Sequence, residues 1–125
     1  MIRNVAAILG VASAISVVPA VAFAQSAPPT HKADPGVYQV VFENDSFRVI
    51  SATWQPGQTD KAHSHSVASI AYALTDCNLK LTSADGKVVD VTAKAGSVNA
   101  VGMTPSHTTS NVGPAECRSI LIERK

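Results

Sequence analysis

This 125-residue chain has no block of like charge, and charged side chains make up only 15% of it. Ten lysines and arginines are balanced by nine aspartates and glutamates, so nothing in it forms an electrostatic footprint for nucleic acid or an anionic membrane surface. Helical periodicity is also missing. Beyond residue 25 no segment sustains apolar residues at three- to four-residue spacing between caps. Cysteine is scarce: Cys77 and Cys117 are the only two. They are open to three readings: one disulfide, two buried thiols, or metal ligation, although neither lies at ligand spacing from a histidine.

The one long apolar run is at the start. Arg3 supplies a positive charge, Val5 to Val21 is apolar and rich in small residues, and Ala22-Phe23-Ala24 fits the small-x-small pattern that signal peptidase reads. Residues 1–24 are therefore expected to be a signal peptide cut before Gln25. Gly10, Ser13, Ser16 and Pro19 weaken the run as a membrane anchor. No cysteine near the cut supports a lipoprotein, so the expected location is periplasmic or secreted, with no membrane attachment after cleavage. Removing Arg3 leaves nine basic and nine acidic side chains. Residues 25–36, with Pro28-Pro29 and His31, read as a flexible leader, which makes His31 a solvated linker residue. Residues 37–125 are enough for one small domain.

Within that domain short β-branched runs alternate with turn signals. Candidate strands are 37–42, 47–54, 67–74, 78–82, 88–92, 97–101, 107–112 and 117–123. Asp85-Gly86 between two of them favours a tight hairpin. Eight strands spaced in this way imply an all-β sandwich or barrel. Residues 67–74 are more continuously apolar than the other runs, as expected of a strand buried on both faces.

Three of the four histidines fall in two short segments of this pattern. Residues two apart in a strand share a face, so His63 and His65 project side by side. His107, from a distant strand, could complete a three-nitrogen metal site with open coordination positions. Asn111 lies on the His107 face or stabilises the Gly113-Pro114 turn, and the turn role is favoured. Trp54 and Tyr72 are expected in the core. Met103 is placed at the cavity rim or as a cap on the barrel end. Ser64 and Ser66 point away from the histidines, and no acidic residue is placed to orient a Ser–His pair.

Gly57, His63 and His65 match the opening of the first cupin motif in spacing, and His107 and Asn111 match the end of the second. The chain thus resembles the cupin superfamily over roughly residues 47–125, closest in its ending to small single-domain bacterial cupins. The resemblance implies a jelly-roll β-barrel of about eight strands and a homodimer formed through an outer sheet. It also implies a divalent transition metal (Zn, Fe, Mn, Ni or Cu) on His63, His65 and His107. The motif's glutamate is missing: its position falls on Ser69 or Ile70, and the next acidic residue is Asp76. Two functions follow, a metal-dependent enzyme acting on a small molecule, or a ligand-binding or structural cupin with no metal.

Overall fold

The structure, a computed structural model, describes Pro19 and residues 25–125, so the expected signal peptide otherwise lies outside the described residues. Among the described residues, nine strands follow one short helix, α1 (Thr30–Ala33). They are β1 (Tyr38–Glu43), β2 (Phe47–Trp54), β3 (His63–His65), β4 (Ser69–Ala73), β5 (Cys77–Ser83), β6 (Val88–Ala93), β7 (Val98–Val101), β8 (Thr104–Asn111) and β9 (Cys117–Arg124). The strand that the pattern did not supply is β3. Its three residues are too few to show an alternation, and all three are buried.

The strands form two antiparallel sheets, ordered β1-β2-β9-β4-β7 and β3-β8-β5-β6. The sheets face each other as a jelly roll that stays open, with no ladder joining β6 to β7. Between β2 and β9 the register sets Ile50 opposite Leu121, Ala52 opposite Ser119 and Trp54 opposite Cys117. The same alternation turns these residues inward, where Val37, Tyr38, Ile50, Ala52, Trp54, Cys77, Cys117 and Leu121 form the core. Cys77 and Cys117 are joined as a disulfide. Each begins a strand in a different sheet, so the bond ties the two layers at one end. Asp85-Gly86 turns the β5–β6 hairpin as expected, with Gly86 at φ +85°.

Two expectations change. Residues 67–74 were read as buried on both faces, yet Ile70, Tyr72 and Leu74 are exposed on the outer side. Inward, β4 presents only Ser69, Ala71 and Ala73. These side chains are too small to fill the interior, and that leaves room for a cavity. Tyr72 is consequently not a core residue.

The segment read as a flexible leader is also held in place. Ala27 N donates to Pro105 O at 3.0 Å, and Ser64 N donates to Pro28 O at 2.9 Å. Pro29 bridges Ser64 in parallel, and Thr30 is fully buried. The physical reason is the free edge of β3: an extended Pro-Pro segment offers carbonyls there, satisfying backbone groups that would otherwise be buried without partners. His31 is half-buried on this segment. Burial first, and then the positive charge of Arg48, lower its pKa. Arg48 itself is held by Glu43 at 2.9 Å and Glu123 at 3.1 Å.

Candidate metal centre

β3 and β8 pair with His63 directly opposite His107, and a register shift sets His65 opposite Thr104. Cross-strand partners lie close enough for their side chains to meet on one face. The shift swings His65 onto the same point. All three histidines are buried, and their ligand atoms lie within 4.8 Å of one another. His107 Nε2 is 2.8 Å from His63 Nε2 and 3.1 Å from His65 Nε2. The sequence-predicted trio is thus brought together.

The other ring nitrogens determine what this convergence means. His63 Nδ1 lies 3.1 Å from the Lys61 carbonyl, which can only accept, so Nδ1 carries the proton. Thr30 Oγ1 donates its one hydrogen to Ser64 O and therefore accepts from His65 Nδ1 at 3.2 Å. His63 and His65 both aim an Nε2 lone pair inward as a result. Tyr38 Oη also lies 3.3 Å from His63 Nε2, but its one hydrogen is donated to Asp60 Oδ2. A proton on His107 Nε2 can reach only one of the two lone pairs, whereas a cation at the centre satisfies all three nitrogens. Nitrogens about 2.0–2.1 Å from one ion would stand roughly 2.9 Å apart at right angles and about 3.3 Å apart at tetrahedral angles. The observed spacings of 2.8 and 3.1 Å fit such a set. Burial, and then the neighbouring histidines, lower the His65 pKa to about 3. Burial, and then His63, lower that of His107 to about 4. Both rings are therefore neutral donors at pH 7. Three histidines at this geometry could hold a metal ion.

Behind His63 stands a polar brace that sequence reasoning missed. Asp60 is buried and accepts from Tyr38 Oη at 2.5 Å, Trp54 Nε1 at 3.2 Å and the Thr109 amide at 2.6 Å. Its Oδ2 is 3.7 Å from His63 Nδ1. Burial and the Asp60 charge push the Tyr38 phenol well above its usual pKa. Thr30, the partner of His65, was missed as well, because nothing in a Pro-Pro-Thr segment signals contact with a strand 34 residues away.

The position of the missing glutamate is now defined. Ser69 points inward, and its Oγ is buried without a partner. It is paired across the sheet with Glu123, whose carboxylate is engaged by Arg48. Asp76 is exposed in the β4–β5 turn, where it bonds the Ala95 amide and Lys94. Asn111 takes the turn role: its side chain donates to Trp54 O and Ala115 O and accepts from the Gly113 amide. Met103 is exposed at the cavity rim.

The histidines open onto a cavity of about 620 Å³ between the sheets. Leu79, Leu81, Val91, Val101 and Leu121 line it, with Ala71 and Ala73 on the β4 side. No aspartate or glutamate is among its lining residues. The size is that of a small-molecule site.

No protein-family model matches this chain, and no curated protein matches its sequence. Solved structures do match in shape. A cupin domain from Bordetella pertussis superposes with a TM-score of 0.65 at 24% identity, covering 74% of this chain and 96% of that one. A double-stranded β-helix protein from Klebsiella pneumoniae gives 0.56 at 18% identity, over 85% of this chain and 90% of the other. A cupin 2 conserved barrel protein from Salinispora arenicola gives 0.53 at 18% identity, over 88% of each. The fold is that of the cupins.

Proposed function

We propose that this chain binds one divalent transition metal through Nε2 of His63, His65 and His107, and presents it to a small molecule in the adjoining cavity. The observation that carries this is the pair of inward lone pairs fixed by Lys61 O and Thr30 Oγ1, which a single proton cannot satisfy together. The bound ion supplies Lewis acidity, undiminished because all three ligands are neutral. The chain's own residues do the rest. Asp60 and the Lys61 carbonyl fix the face of His63, Thr30 fixes His65, and the apolar wall keeps water from competing for the ligand.

One feature favours holding a ligand over transforming it. Among the described residues the one carboxylate in contact with the histidine cluster is Asp60, which does not line the cavity and whose two oxygens already accept three hydrogen bonds from Tyr38, Trp54 and Thr109. It is poorly placed to move a proton to or from a ligand. The ion is zinc, iron, manganese, nickel or copper, since imidazole donors accept each of them. Export before Gln25 belongs to the same reading and is supported by the disulfide, which persists in oxidising compartments.

The test is elemental analysis of the exported protein, purified without added metal, beside the double variant His63→Ala/His107→Ala. About one metal per chain in the parent and almost none in the variant is the expected result. Equal, sub-stoichiometric metal in both would end the proposal.

A further inference from the structure

The cavity next to the histidines has a charge pattern that metal binding leaves unused. Its one permanently charged side chain is Lys87, at the β5–β6 hairpin. Lys87 falls on the face of Val89 and Val91, which line the same cavity. Its carbonyl accepts from Ser83 N at 2.9 Å, and Ser83 pairs across the sheet with His107. The lysine is thus anchored one strand away from the third histidine. Lys87 is exposed at the cavity mouth. Among the described residues its ammonium makes no ion pair, and of the basic side chains without one (Lys32, Lys61, Lys80, Lys87 and Arg124) it alone lines the cavity. The nearest acidic residue in the chain, Asp85, accepts from the Lys87 backbone amide in the turn.

We propose that the cavity takes a small monocarboxylic acid with an apolar body. Its carboxylate lies between the three-histidine centre and Lys87, and its hydrocarbon lies against Leu79, Leu81 and Leu121. This inference rests on the metal reading for one of its two positive charges, while the Lys87 charge stands without it. Three neutral ligands leave a divalent ion its full charge, and no lining carboxylate offsets either that charge or the ammonium. A negative ligand supplies the counter-charge; attraction at the buried histidine centre strengthens as water is excluded, whereas the exposed Lys87 acts from the solvated mouth and contributes less. The wall determines the remainder of the ligand. A polyhydroxylated ligand such as a sugar would bury hydroxyls against leucine and valine side chains that cannot hydrogen-bond. An alkyl or aryl body gains from the same contact.

The experiment is titration calorimetry on the full exported chain, as purified and after chelator treatment, with metal content measured on each sample. Straight-chain acids from butanoate to octanoate should gain about fourfold in affinity per added methylene until the cavity is full. Phenylacetate should bind, and phenylacetamide should bind at least about thirtyfold more weakly. Lys87→Met should weaken phenylacetate about two- to fivefold without changing metal content, while Lys80→Met, on the outer face of β5, should leave affinity unchanged. Equal affinity for acid and amide, a flat chain-length series, or an unchanged Lys87→Met variant each overturns the acid assignment. If metal is present when any of these occurs, the metal reading still stands. Protein that is already metal-free as purified and binds phenylacetate through Lys87 keeps the acid assignment and removes the metal one.

Discussion

Asp60→Asn is nearly isosteric, yet it should be among the most damaging single changes in this domain. Asp60 Oδ2 accepts from Tyr38 Oη and Trp54 Nε1, and Oδ1 accepts from the Thr109 amide. An asparagine turns one of these acceptors into an NH2 group. If that group replaces Oδ2, the Trp54 N–H faces another donor. If it replaces Oδ1, the Thr109 N–H does. Either way one buried donor loses its partner, which costs about 1–3 kcal/mol. The surviving bonds also change from charge-assisted to neutral, costing roughly another 1 kcal/mol. The expected loss is about 2–4 kcal/mol, out of roughly 5–15 kcal/mol for a domain of this size. Tm should fall by about 10–25 °C. Urea unfolding followed by the fluorescence of Trp54, the only tryptophan, reports from the perturbed site itself. Metal-stripped protein should show the same loss, because the brace exists without metal. Tyr38→Phe removes one donor and leaves the carboxylate its other two bonds, so it should cost about half as much. A loss under about 1 kcal/mol for Asp60→Asn, with unchanged m-value, would refute the view that this carboxylate is the keystone behind His63.

Three further outcomes are expected. In metal-free protein, stability should be complete above about pH 6.5 and decline as pH falls toward 4, because His65 (about 3) and His107 (about 4) titrate below the unfolded value of 6.5. Between those limits the unfolded chain binds more protons, and with solvent screening at the cavity the slope should be about 1–2 kcal/mol per pH unit. A flat denaturation profile over that range would contradict the buried neutral pair. Replacing Cys77 and Cys117 together by serine opens a loop with a sequence separation of 40 and should cost about 4 kcal/mol in guanidinium melts. An unchanged midpoint would show that β5 and β9 hold together without the bond. Thr30→Val keeps the volume but removes the acceptor for His65 Nδ1. Metal affinity, read by competition with a chromophoric chelator, should fall about tenfold, and protease cleavage near residue 28 should rise. Unchanged values in both assays would show that the N-terminal segment does not brace the site.

Much of this architecture was legible from local signals. The β-branched runs at 47–54 and 117–123, bounded by turn signals, gave two inner strands, and Asp85-Gly86 gave the hairpin, because branched side chains suit extended backbone and positive φ favours glycine. The His63/His65 spacing and the distant His107 gave the three nitrogens. Other features could not be read in this way. The 67–74 run carries its bulk on the outside, and alternation does not reveal which face meets the core. Three-residue β3 is too short to carry any pattern, and the 25–36 segment has a composition that fits disorder equally well when no edge strand is there to receive it.

The sequence by itself determined the strand-rich class, the pairing of two histidines on one face and the absence of an acidic ligand at Ser69 or Ile70. These follow from residue type and from spacing along a single strand. Only the tertiary structure decided that Cys77 meets Cys117, that Asp60 stands behind His63, that Thr30 reaches His65 and that Lys87 lies at the cavity mouth. Each of those relations joins segments far apart in the chain or depends on which way a turn presents its side chains. Their distances are set by how two sheets pack, a global property that no local pattern encodes.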